Sequence, residues 1–104
     1  MNALEREFDD EMRRLYHVAA AKGYHATLFM QMVAQKGGPE AARILIEGDT
    51  VQTGLFRLAE LGLLQVSVEN TVLNPKCDEL FLSRVKRAAR ERLEALGFTS
   101  GGWE

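Results

Sequence analysis

The chain has 104 residues, 46% hydrophobic and 27% charged, with a formal net charge of −2. That length suits one domain with a real core, and that composition excludes an intrinsically disordered chain. The acidic balance weighs against a dedicated nucleic-acid binder, no apolar run approaches the ~18 residues of a membrane span, and the single cysteine, Cys77, rules out an internal disulfide and fits a reducing, cytoplasmic setting.

In chain order, Leu4, Phe8, Met12, Leu15, Tyr16 and Ala19 recur at steps of three and four, so residues 3 to 21 form an amphipathic helix. Its acidic, amphipathic start, MNALEREFDDEM, does not suit a signal peptide. Asp9, Asp10 and Glu11 point in different directions around such a helix and read as a solubilising cluster. Gly23 is a natural stop. A second helix follows from His25, with His25 as N-cap and Tyr24 and Phe29 at the positions of a hydrophobic staple. Leu28, Phe29, Met30, Met32 and Val33 make this helix apolar on nearly all sides, which predicts a place in the middle of the bundle. Gly37-Gly38 ends it.

Pro39 opens a third helix, where its missing N–H is no loss. Ala41, Ala42, Ile44, Leu45 and Ile46 give that helix a closely packing face, and Gly48 ends it. Asp49 and Gln52 have the spacing of a capping box for a fourth helix that runs to about Leu61. Gly62 fits the left-handed position after the helix, with Leu63 folding back on Leu58. Gly54, inside this segment, either delays the helix or lets a neighbour approach closely. The last helix covers 78 to 96 on the stripe Leu82, Val85, Ala89, Leu93 and Leu96, and Gly97-Phe98 repeats the same C-terminal pattern.

Residues 64 to 74 have two readings. Val66, Val68 and Val72 are β-branched and Glu69-Asn70 can turn, which would make a wing hairpin behind a recognition helix at 49–61. Alternatively, Ser67 caps a short helix that Pro75 stops. The absence of Lys and Arg from VSVENTV, and the single basic residue Arg57 in the preceding helix, fit a DNA wing poorly.

The pattern Gly23-Tyr24-x-Ala26-Thr27, Gly37-Gly38 with Ala41-Ala42, Gly54, Leu58-x-Glu60-x-Gly62 and Leu64-x-Val66-Ser67-Val68-Glu69-x-x-Val72-Leu73-x-Pro75, followed by Glu79-Leu80-Phe81 and Arg90-Glu91-Arg92-Leu93, resembles a family of small bacterial helical proteins and modules to which no function is attached. The resemblance covers about residues 20 to 98. It implies a helix start near 25 and helix rather than wing at 70–71, where Asn70-Thr71 departs from the Ala-Leu of the family pattern.

No catalytic set stands out. His17 lies opposite the apolar face of its helix, and His25 sits at a helix start. Neither has a metal-ligand spacing, and Cys77 has no CxxC partner. Ser67 and Ser83 read as helix caps, without a base beside them. The glycines match no phosphate-binding motif. Neither catalysis nor a cofactor, a metal, a small-molecule substrate or a membrane is therefore expected. SRVKRAARER, residues 83 to 92, puts Arg84, Lys86, Arg87 and Arg90 on the face away from the apolar stripe, while Arg92 falls at the stripe's edge, in reach of the acidic first helix.

The expectation is an all-α bundle of about five to six short helices over residues 1–98 with a flexible tail at 99–104. A winged helix with a hairpin at 64–74 is the alternative fold. The expected function is a non-enzymatic, cytoplasmic interaction or accessory module that binds another protein or a second copy of itself. Leu4, Phe8 and Tyr16 would be apolar anchors, and Arg84, Lys86, Arg87 and Arg90 charged contacts. Nucleic-acid binding, through a winged helix or through the basic face, is the alternative function.

Overall fold

Every ordered element of the computed structural model, which describes residues 1–48 and 53–103, is helical. In order these are α1 (Ala3–Ala21), α2 (Thr27–Lys36), α3 (Gly38–Glu47), α4 (Thr53–Glu60), a 3₁₀ turn (Leu64–Val66), α5 (Val68–Val72), a longer 3₁₀ stretch (Pro75–Leu80) and α6 (Ser83–Glu94). The all-α bundle is therefore the fold, and no strand forms among the described residues. The capping box assigned to Asp49 and Gln52 lies outside them.

The helix ends follow from local chemistry. Asn2 and Glu5 bond each other's backbone N–H reciprocally at the start of α1. At its other end Gly23 takes φ 97°, which only glycine adopts cheaply, and the Tyr24 N–H reaches back to the Ala19 carbonyl at 3.0 Å. The same closure ends α4: Gly62 has φ 71° and the Leu63 N–H bonds the Leu58 carbonyl at 2.8 Å. Gly97 and Phe98 repeat it after α6, with the Phe98 N–H on Leu93.

The hairpin alternative at 64–74 is not what forms. Ser67 is fully buried, its Oγ accepts the Asn70 N–H at 3.1 Å, and it donates to the Leu64 carbonyl at 2.7 Å. One hydroxyl thus closes the 3₁₀ turn and caps α5. Two other expected boundaries move. α2 begins after Ala26, with no side-chain cap, so His25 is not its N-cap. The single helix expected over 78–96 is split, because Asn74 caps a separate 3₁₀ stretch and Phe81 and Leu82 are extended. Leu82, counted in the apolar stripe, is 62% exposed, and Ser83 is not a cap.

α3 is the centre of the packing and touches α1, α2, α5 and α6. Ala41 and Ala42 let these neighbours in, and Met12, Val33, Ile46, Val72, Val85 and Leu93 fill the space around them. Burying a side chain of that size stabilises by about 1.5–3 kcal/mol. Where α1 meets the start of α3, a Cβ on Gly38 would lie 2.8 Å from the Asp9 Cα. Asp9 belongs to this junction rather than to a solubilising cluster: it is buried, and it accepts the Gly38 N–H at 2.7 Å and the Arg13 guanidinium at 3.0 Å. Phe81 stacks edge-on against Phe8 at 5.0 Å, under the Arg43 guanidinium, which also donates to the Leu80 carbonyl.

The tail differs from a freely projecting one. The Asn70 side chain exchanges two hydrogen bonds with the Gly101 backbone, at 2.9 and 3.0 Å, and Trp103 Nε1 donates to the Asn70 carbonyl at 2.9 Å. Asn70 is completely buried in this role.

Candidate functional site

α2 is not the central helix that its composition predicts. Of its ten residues only Val33 is buried, and Leu28 is 81% exposed. The helix lies at the edge of the bundle, packed mainly on α3. Its surplus apolar surface instead lines one wall of a half-open cavity of about 600 Å³ between α1, α2, α4 and the 64–69 segment. Leu15, Tyr16 and Ala19 come from α1, Leu28, Phe29 and Met32 from α2, Leu55 and Leu58 from α4, and Val66, Val68 and Glu69 from the segment that follows. This volume and this apolar, aromatic lining are those of a ligand pocket.

Two local features shape its inner end. The turn at Gly23 swings Tyr24 back over the groove, and Gly54 makes room for it: a Cβ at Gly54 would collide with the Tyr24 hydroxyl. Of the two roles open to Gly54, close approach is the one observed. Glu69, in the first turn of α5, is 3% exposed and sits on the cavity wall. Its Oε2 lies 3.5 Å from Arg92 Nη1. Arg92 makes shorter bonds to the Leu45 and Gly48 carbonyls, at 2.9 and 3.1 Å, and so closes the C-terminal end of α3. It pairs with Glu69 of α5, not with the acidic first helix.

Burial pushes the Glu69 carboxyl above the usual carboxylate range; a bond from its own backbone N–H and the Arg92 charge oppose this without cancelling it. Burial also raises the Tyr24 phenol, and the Glu69 charge adds to the effect. The groove is therefore lined by a carboxyl whose anion burial disfavours and by a phenol that holds its proton more tightly than usual. That pair can accept and donate hydrogen bonds.

The residues singled out in the sequence do not gather at one place. Tyr16 lines the groove. Phe8 cannot act as an accessible anchor, because it is 2% exposed and packed on Phe81. Leu4, half-buried, faces a second, more polar cavity of about 500 Å³ with Cys77 and Trp103. The Cys77 thiol is pushed up by burial and then by Glu11, Asp78 and Glu7, with Lys76 opposing. On α6, Arg84 is paired with Glu47 at 2.9 Å and Lys86 with Asp78 at 3.4 Å. Arg87 and Arg90 are exposed and have no ion pair among the described residues. His17 is exposed, and His25 is exposed at the rim of the groove. Among the described residues no three His, Cys, Asp or Glu side chains cluster as metal ligands would, and no helix is long and apolar enough to cross a membrane.

Sequence reasoning passes over Glu69, Tyr24 and Leu28. The signal for Leu28 is present, since a helix apolar on nearly all sides must either be buried or be covered by something else. Tyr24 is marked only as half of a hydrophobic staple and Glu69 only as a residue of the contested 64–74 segment, and their convergence depends on the tertiary fold. No family model, curated protein or solved structure matches the chain.

Proposed function

We propose that the protein is a non-enzymatic interaction module whose groove between α1, α2 and α4 receives an apolar segment of another protein. The observation that carries this is Leu28, 81% exposed at the lip of an apolar cavity of about 600 Å³. Contiguous apolar surface of that kind, rimmed by polar residues, marks an interaction site. A second copy is the weaker occupant. The exposed large apolar side chains, Met1, Leu28, Ile44, Phe56 and Leu82, stand on separate elements, so no described helix offers a continuous stripe to insert. The bacterial, cytoplasmic setting belongs to the same proposal and rests on the family resemblance and the lone cysteine.

Photo-crosslinking in the native host tests it. A photoreactive residue at position 28 should give a discrete protein adduct, and one at position 90 should not. The captured partner, rebuilt from purified components, should bind at least tenfold more weakly to Leu28→Asp, a loss of about 1.4 kcal/mol. Adducts to the chain itself would put a homodimer in place of this reading. Nucleic-acid adducts at position 90 that fade steeply with salt would put the basic face of α6 in its place.

A further inference from the structure

We infer that the inner end of the groove is an ammonium site, in which Glu69 and the rings of Tyr16, Tyr24 and Phe29 receive a lysine side chain carried on the apolar partner segment. This rests on the groove being the binding face, and it specifies what must enter it.

Glu69 is the only acidic side chain among the described residues that line the cavity, and its side chain is 4% exposed. A carboxylate in such a place needs a compensating charge. Among the described residues Arg92 is the cation that faces it, at 3.5 Å. The Arg92 Nη1 stands 3.5 Å from Glu69 Oε2 but donates to the Leu45 carbonyl at 2.9 Å, and Nη2 is committed to the Gly48 carbonyl. The guanidinium is thus held toward the end of α3 by two bonds shorter than its approach to Glu69, and the Glu69 side chain stands on the cavity wall.

Three aromatic rings line the same cavity. Their faces attract a cation, and the attraction grows as water is excluded. A carboxylate together with several rings is a recognition set for an organic cation. An ammonium suits it better than a guanidinium: one oxygen of Glu69 already faces Arg92, so a bidentate fork has no second place to land, whereas a compact charge needs only one. The four-carbon stem of lysine would lie along Leu15 and Leu58 while its head reaches Glu69.

The test uses the full chain, ¹⁵N-labelled, and follows the amides of Tyr24, Leu55 and Val68. n-Hexylammonium and 1-hexanol are titrated separately, then two apolar helical peptides that differ only in a central lysine or norleucine. The amine and the lysine peptide should each bind about tenfold or more tighter than the neutral counterpart. In Glu69→Gln both preferences should fall to about twofold or less. If Glu69→Gln does not fold, Tyr16→Leu is the second variant and should weaken the amine about threefold while leaving the alcohol unchanged. Equal binding of amine and alcohol would overturn the ammonium site and leave the apolar groove standing. Discrimination between the small molecules but not between the peptides would overturn the lysine in favour of a free amine. No shift at these amides with any of the four would overturn the site outright.

Discussion

Gly38 shows how much a single atom decides. Its hydrogen faces the Asp9 backbone, and a methyl there would sit 2.8 Å from the Asp9 Cα. Backbone cannot yield as a side-chain tip can, so Gly38→Ala should destabilise by about 1–3 kcal/mol, read as a lower urea midpoint at unchanged slope. Glu69 gives the second prediction at this scale. Its folded-state pKa lies above the unfolded one, so between the two values the native state holds the extra proton. Its contribution is therefore fully present below the unfolded pKa and is lost as pH rises through the folded one. The stability of the wild type relative to Glu69→Gln should fall from pH 4 to pH 7.5 in paired urea titrations; a rise would show that the Arg92 pair outweighs desolvation. Neither Gly38 nor its partner Asp9 shows this role in the sequence. Gly38 looks like half of a helix stop, and Asp9 like one of several surface acids, because what defines both is a contact 29 positions apart in the chain.

At the scale of the element, local chemistry carries further. Ser67, Gly62 and Pro39 have the roles their types suggest, because each role is filled by bonds within a few residues. Ser67→Ala should cost about 1–2 kcal/mol by thermal unfolding, since it removes the cap of α5 and one of the two bonds, hydroxyl and backbone, that Ser67 donates to the Leu64 carbonyl. Far-UV circular dichroism should still show a helical protein, without a strand component. α2 is where pattern and placement part. Its periodicity reports apolar faces correctly, but periodicity does not say whether a face meets the chain's own core or a partner. α6 is the converse case: a continuous stripe is broken at Phe81 and Leu82 because Asn74 and Pro75 start a tighter turn that uses the intervening residues.

Across the whole molecule, the tail is fastened to the middle of the chain. Residues 101 and 103 bond Asn70 over 31 and 33 positions. Trp103 is the chain's sole tryptophan, so its emission reports this contact directly. Asn70→Ala should red-shift that emission under native conditions while the helical signal persists; unshifted emission would mean that the indole bond alone holds the tail. The sequence marks Asn70 only as a candidate turn residue and as a departure from the resembled pattern, since its partners lie beyond any local pattern. The connection of wider consequence runs through Arg92, which joins Glu69 of the groove to the last carbonyls of α3. A group that binds Glu69 changes how strongly Arg92 holds α3, and by thermodynamic reciprocity the state of α3 changes how strongly that group binds. Groove occupancy should therefore be readable as altered hydrogen exchange at Gly48, which does not line the groove and is reached through Arg92, and this would make the bundle's central helix a sensor of what its edge has captured.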